Sequence, residues 1–384
     1  MRADNEDSFG LGAMEESSSA LPILSPTKRN DFPPIGPPTT VDFANFPTTR
    51  FFGSKRKQLP WIYSALADLP GRTALDACGG TGSVSLLLSN LGKEVTYNDV
   101  FKFNEISARA ILSRDPTGTE PEFIRSVVES VRPKRGLVCR HFKGLYFTDE
   151  ENRWIDGFMT TLTKIKDRQC RDVLMYSLFQ ACLKKRPFNL FHRANLEIRN
   201  SEDAVRFGNR TTWETAFSTH ILQSHAELLK ARKLIGAPIH VLPCGSAEFV
   251  QGDFDIVYLD PPYFHSHRST EPYLLRYHFL EGLARYDEWP SLLDANSNIK
   301  QFRYEAVPHE WRSKADFEKN LIGTIARFSK STVILSYVAE AHPSEARLLE
   351  IFNSVFPKVR VFRQGYKRVL SVRTRTELMF LGEP

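Results

Sequence analysis

No apolar run in these 384 residues approaches the ~20 that a membrane-spanning helix needs. The first residues carry acids at Asp4, Glu6 and Asp7 and no apolar core, which argues against a secretory signal. Cysteine is sparse, and its five positions (Cys78, Cys139, Cys170, Cys182, Cys244) form no CxxC pair. That scatter favours reduced thiols in the cytoplasm over disulfides or a zinc site. Also missing are an internal repeat, the G-x-G-x-x-G of dinucleotide binders and the Gly-Lys-Ser/Thr of a Walker loop. What is present is an ordinary globular composition, 41% hydrophobic and 25% charged, in a chain long enough for one large domain or two.

The formal net charge is +6, a weak pointer to a polyanionic partner by itself. Its distribution is more informative. Between Val131 and Arg210 stand 17 Lys or Arg against 9 Asp or Glu, so the rest of the chain is net negative. Such a concentration suits a surface that meets phosphates; a set of solvated helices would read the same way.

Residues 1–45 are rich in Ser, Pro, Gly and acids and read as a disordered or loosely draped tail. Ordered structure is expected from near Phe46. A short apolar run at Thr73–Leu75 leads through "DACGGTGS" into the helix-like "VSLLLSNLG", ended by Gly92. "EVTYND" and "FNEISARAILSR" repeat the strand–helix rhythm. Much later come "IHVLPCG", "FDIVYLD", "STVILSYV", "KVRVFRQGY" and "TELMFLG", all strands by length and content, with the amphipathic "EARLLEIFNSVF" among them. Strands alternating with helices predict an α/β fold around a doubly wound, mostly parallel sheet. The last two runs have no helix between them and suit an antiparallel edge hairpin. Residues 105–235 break the rhythm: few strand signals, the most basic charge, and aromatics among the charges. They read as a mainly helical domain inserted between a first sheet half at 46–104 and a second at 236–384.

Two stretches carry chemistry. "LDACGGTGSVSLLL" is a strand, an acid, a Gly-rich turn and a helix. Asp99 ends the following strand, where an acid can accept hydrogen bonds from both ribose hydroxyls of a nucleoside. A phosphate-bearing ligand would want donors and positive charge at this loop; Asp76 there suits a cationic or zwitterionic one, such as S-adenosylmethionine. The second stretch is "DIVYLDPPYFHSH". Pro261 and Pro262 cannot donate ladder hydrogen bonds, so the strand ends and Asp260 and Tyr263 are held at its tip.

"FFGSK" (51–55), "DACGGTGS" (76–83), "YND" (97–99) and "YLDPPY" (258–263) stand in the order shown by Dam-type DNA adenine methyltransferases, which this chain resembles from Phe46 to its end. The resemblance implies a Rossmann-like methyltransferase sheet, interrupted by a target-recognition domain, and S-adenosylmethionine as methyl donor. It places Phe52 and Lys55 at the methionine end of the donor. Asp76, Ala77, Cys78, Gly79, Gly80, Thr81 and Gly82 wrap the same end, and Asp99 takes the ribose. For the donor's adenine, Cys244, Ser246 and Phe249 stay open as contacts. The implied partners are double-stranded DNA and a cognate restriction endonuclease, in a prokaryotic cytoplasm at the nucleoid.

The chemistry explains the motif. The exocyclic amine of adenine is a poor nucleophile because its lone pair is delocalised into the ring. Two acceptors around that nitrogen, the Asp260 carboxylate and the Pro261 carbonyl, favour a tetrahedral amine aimed at the methyl group, and the prolines stiffen the presentation. Tyr263 can stack on the extruded base, a contact worth about 1–3 kcal/mol. The sulfonium is already activated, so no metal is needed. His265 and His267, just beyond, suit a groove or a phosphate better than a metal. Tyr273 and Tyr277 suit packing. Arg186 and Arg193 in "KKRPFNLFHR", and Arg210 and Trp213 in "RFGNRTTWE", are candidates for DNA contact, with a buried aromatic knot and a local turn as the competing readings. The nearest rival reaction is cytosine-N4 methylation, against which Asp rather than Ser before the two prolines argues. A non-catalytic DNA-binding protein of the same fold is the rival from another class.

Overall fold

The computed structural model describes residues 41–384 apart from 52, 118–119, 201–209, 266–271, 304–310, 312 and 368–373. The described part belongs to one compact unit, Thr39–Pro384. Residues 1–40 of the expected tail, Phe52, His267 and residues 206–209 of the "RFGNRTTWE" turn lie outside the described residues.

Nine strands are present among the described residues: β1 (Thr73–Asp76), β2 (Glu94–Tyr97), β3 (Ile239–Val241), β4 (Ile256–Leu259), β5 (Phe264–His265), β6 (Thr332–Val338), β7 (Ala341–His342), β8 (Lys358–Lys367) and β9 (Thr374–Glu383). Seven form one sheet in the order β3-β2-β1-β4-β6-β9-β8, and β5 pairs with β7 apart from it. The five strands from β3 to β6 are parallel. β9 runs antiparallel to β6 and to β8, the terminal hairpin read from the sequence. The chain passes outward from β1 to β2 and β3, then returns to place β4 on the other side of β1. That reversal leaves a crevice beyond the C-terminal ends of β1 and β4, the usual ligand position in such sheets.

Successive strand residues point to opposite faces, and both faces are buried. Ala74, Ile256, Tyr258 and Ile334 enter one core with helices α1 (Leu59–Leu66), α2 (Ser83–Asn90) and α3 (Lys102–Ile111). Their neighbours Leu75, Val257, Leu259, Val333 and Leu335 enter a second core. This explains why β4 and β6 read as unbroken apolar runs rather than alternating ones.

Between α3 and β3 lie α4 (Pro121–Ser130), α5 (Leu137–His141), α6 (Asp149–Leu162), α7 (Arg168–Lys184), α8 (Leu196–Asn200), α9 (Arg210–Glu214) and α10 (Phe217–Arg232), with no strand among the described residues. α6 opens with a full capping box, Thr148 and Glu151 satisfying each other's backbone N–H. α3 spans position 104, where the sequence suggested a domain boundary, and packs on both β3 and α7. After β5 come α11 (Tyr273–Ala284), α12 (Trp289–Leu292) and α13 (Lys314–Arg327), and α14 (Glu345–Val355) precedes β8. α13 and α14 cover the second core through Phe317, Leu321, Leu348 and Phe352. No helix among the described residues is long and apolar enough to cross a membrane.

Tyr146 ties the helical part to α11. Its hydroxyl lies 2.8 Å from the Phe191 and Ile299 carbonyl oxygens and 2.9 Å from His278 Nε2. Phe279 stacks on Phe191 and meets Phe142, Tyr146 and Phe147 edge-on. The aromatic knot allowed for in "KKRPFNLFHR" is therefore real, and Tyr277 packs likewise, stacked on Phe51 with centroids 4.5 Å apart.

Candidate active site

The turn after β1 leaves no room for a side chain at Gly79. A Cβ built there would lie 2.1 Å from the Tyr97 ring. Gly80 and Gly82 occupy the left-handed region, with φ of 50° and 72°. The turn is fixed to the end of β2: Gly79 N donates to the Asn98 carbonyl (2.8 Å) and the Tyr97 hydroxyl to the Gly80 carbonyl (2.8 Å). Asp99 binds it as well, one carboxylate oxygen accepting from Gly80 N (2.9 Å), the other from Phe101 N (2.9 Å) and Asn104 Nδ2 (3.0 Å). Burial raises the Asp99 carboxyl above its ordinary value, and those donors pull it part of the way back. Asp76 is buried and accepts from Ser85 Oγ at 2.6 Å. Burial pushes its carboxyl up to about 7; the Ser85 hydrogen bond opposes this, and the charges of Asp260 and Asp99 add to it. Cys78 is held as a neutral thiol, raised first by burial and then by the same carboxylates.

β4 ends opposite this turn, with Ala77 N donating to the Tyr258 carbonyl at 3.0 Å. The next residue is Asp260, whose Oδ1 accepts from the Tyr263 hydroxyl at 2.8 Å and lies 3.1 Å from Lys55 Nζ. Lys55 Nζ also donates to the Tyr263 hydroxyl, sits 5.0 Å from the centre of that ring and 3.8 Å from Glu377 Oε2 on β9. Burial alone would pull the Lys55 ammonium down, but the charges of Asp260 and Glu377 and the Asp260 hydrogen bond reverse this and leave it raised. Asp260 is raised by burial and drawn back by Lys55 and Tyr263. The Tyr263 ring meets Tyr337 edge-on at 5.1 Å.

Asp76, Ala77, Cys78, Gly79, Gly80, Thr81, Asp99, Lys55 and the run Asp260 to Tyr263 all line one cleft, so residues far apart in sequence converge. Gly82 is not among the lining residues and ends the turn as the N-cap of α2. Among the described lining residues Lys55 carries the only positive charge, against three aspartates. Of the three residues left open for the donor's adenine, Ser246 reaches the cleft, whereas Phe249 is 64% exposed and does not line it. Tyr273 and Trp311 also line it. Glu377 and Trp311 carried no signal in the sequence: neither belongs to a motif, and both join the site only through the packing of distant segments.

Two of the four candidate DNA contacts are corrected. Arg186 is 1% exposed, donates to the carbonyls of Leu190, Tyr146 and Arg193, and stacks over Tyr146 and Phe191. It is an internal clamp and cannot reach a phosphate; burial pulls its guanidinium down to about 9. Trp213 is 5% exposed, and its carbonyl accepts from Lys185 and Arg199, so its ring is core. Arg193 and Arg210 are exposed, the latter paired with Glu214 at 2.6 Å.

The family model of D12 class N6 adenine-specific DNA methyltransferases matches residues 51–300, more than half of the chain. The chain is also similar to the type II methyltransferase M2.HphI of Haemophilus parahaemolyticus, with 24% identity over 229 residues, or 57% of this chain and 66% of that protein. The match thus spans slightly less than two thirds of that relative's length.

Proposed function

Since the chain belongs to the D12 class N6 adenine-specific DNA methyltransferase family, we propose that it transfers a methyl group from S-adenosylmethionine to adenine N6 in double-stranded DNA. The observation that carries this reading is the meeting of Asp260 and the Gly79–Gly82 turn across one cleft at the sheet's reversal point. The order of the four motifs supports the Dam-type arrangement.

The cleft fits the donor. Three aspartates against one ammonium suit a ligand bearing positive charge and disfavour a polyphosphate. Bound there, S-adenosylmethionine supplies a methyl group already activated by its sulfonium. Asp99, at the tip of β2, suits the ribose hydroxyls, and Asp76 with the 77–82 turn suits the amino-acid end.

Asp260 Oδ and the Pro261 carbonyl act as acceptors for the two N–H groups of the target amine. With both hydrogens engaged, the nitrogen lone pair turns towards the methyl carbon. S-adenosylmethionine held there would give up its methyl group to this nitrogen and keep the S–C electron pair on sulfur. The surplus proton on nitrogen then leaves to Asp260 or to water. Lys55 opposes the burial that raises the Asp260 carboxyl, and so favours its ionised form. The base must leave the duplex to enter, at a cost of a few kcal/mol, and Tyr263 stacks on it there.

We read the helices between β2 and β3 as the part that grips DNA. The loop bearing Arg193 is pinned by Phe191 N to the Arg276 carbonyl, at 2.9 Å. That carbonyl lies within one turn of Tyr273, which lines the cleft. On the same loop Phe188 is 59% exposed with φ of 60°, a conformation that costs a side-chain-bearing residue about 1–3 kcal/mol and recurs at functional sites. The relative's type II designation supports a restriction–modification setting, with a cognate endonuclease as partner and the bacterial cytoplasm as location.

The test is expression in a bacterial host lacking adenine methylation, followed by nucleoside mass analysis of its DNA. N6-methyladenine at one short sequence supports the reading. N4-methylcytosine moves the substrate to the rival base, and unmodified DNA refutes the assignment.

A further inference from the structure

Lys55 is shared by two buried carboxylates. Its Nζ lies 3.1 Å from Asp260 Oδ1 and 3.8 Å from Glu377 Oε2. The side chains of Lys55 and Glu377 are 6% and 7% exposed. Glu377 stands on β9 opposite Val338 of β6, outside the residues 51–300 that match the family model. Glu377 is thus as deeply placed as Lys55, a residue that lines the cleft.

Asp260 Oδ1 takes both the Tyr263 hydroxyl and the Lys55 ammonium, and the proposed reaction brings a third donor, the target amine, to the same carboxylate. Loosening Lys55 from Asp260 would leave an uncompensated buried ammonium, were Asp260 its sole counter-ion. A shift of roughly 1 Å brings Lys55 Nζ from 3.8 Å to hydrogen-bond distance of Glu377. With Glu377 in place the ammonium is paired at both ends of that movement.

We propose that Glu377 is a positioning residue for methyl transfer: it takes over the Lys55 ammonium as Asp260 turns to the adenine amine. The inference rests on the reading of Asp260 as the amine acceptor. Glu377 does not line the cleft and acts on Asp260 through Lys55.

The experiment compares the full-length wild type with Glu377→Gln, Glu377→Asp, Lys55→Ala and the double variant Lys55→Ala/Glu377→Gln. Binding of S-adenosylmethionine is measured by equilibrium dialysis, and kcat by transfer of labelled methyl to unmethylated genomic DNA. Glu377→Gln is expected to bind the donor within about threefold of wild type while kcat falls, towards the ~10²-fold that misplacing a group by about 1 Å can cost. Glu377→Asp should recover part of the loss. The double variant should be no slower than Lys55→Ala alone, because residues that act as one unit are not additive. Wild-type kcat in Glu377→Gln, or losses that add in the double variant, would overturn the proposal. If Glu377→Gln does not fold, Glu377→Asp with and without Lys55→Ala gives the same cycle. A wild type that transfers no methyl to DNA refutes the proposed function itself; a wild type that does so beside an unimpaired Glu377→Gln refutes this inference alone.

Discussion

Donor binding should weaken steeply as the solution is acidified below neutrality. In the folded protein the Asp76 carboxyl sits at about 7, raised by burial, with the Ser85 hydrogen bond opposing and the charges of Asp260 and Asp99 adding. At pH 7 it is therefore about half protonated. A positively charged ligand end favours the carboxylate, so the proton must leave on binding. If the bound complex requires the anion, the apparent Kd rises by a factor of 1 + 10^(7 − pH): about twofold at pH 7, elevenfold at pH 6 and a hundredfold at pH 5. Asp99, also raised by burial, steepens the fall. The assay is equilibrium dialysis of labelled S-adenosylmethionine at fixed ionic strength from pH 5 to 7.5, below the donor's own α-amino group, near ~7.7–8.0. Asp76→Asn should bind more weakly and lose most of the slope. A wild-type affinity that stays level from pH 7 to 5 would refute the reasoning. The same shift has a stability sign. The folded state binds more protons than the unfolded chain between roughly pH 4 and 7, so this group's contribution is full at low pH and is lost as pH rises through 7.

Arg186→Ala should destabilise the fold by about 3–5 kcal/mol, because it empties a buried volume and strips three carbonyls of their donor; chemical denaturation measures it. Arg193→Ala should leave stability unchanged and lower the salt dependence of DNA binding by about one counter-ion, read from affinities at several salt concentrations. Gly79→Ala should give an unfolded or rearranged protein, since its Cβ would overlap the Tyr97 ring; an intact thermal transition in that variant would contradict the tight turn described.

Much of this fold was legible because its signals are local. The four-residue apolar run of β4, closed by Asp260 and two prolines, specifies a buried strand and its end without help from elsewhere. The glycines after Asp76 specify the turn, and the absence of a helix between the last two strands specified the hairpin. The charge excess of residues 131–210 misled in part, because charge count is blind to pairing. Lys185 and Arg199, both in that segment, converge on Glu151 within the protein. Arg186 is the extreme case: nothing in "KKRPF" distinguishes a guanidinium stacked between Tyr146 and Phe191 from one turned to solvent. Glu377 was invisible for the opposite reason. It lies on a strand with ordinary β-content, and only sheet order brings β9 beside β6 and the Glu377 carboxylate under Lys55. Local rules reach the ends of strands; which side chains meet across them is decided by the packing.

The most direct test of the account is transfer of labelled methyl from S-adenosylmethionine to unmethylated duplex DNA by the purified chain, with Asp260→Ala in parallel and donor binding measured for both. The account predicts N6-methyladenine with the wild type and a loss on the order of 10²-fold or more in the variant, whose donor affinity stays measurable. Equal transfer by Asp260→Ala would contradict it, since the amine would then need no carboxylate at the tip of β4.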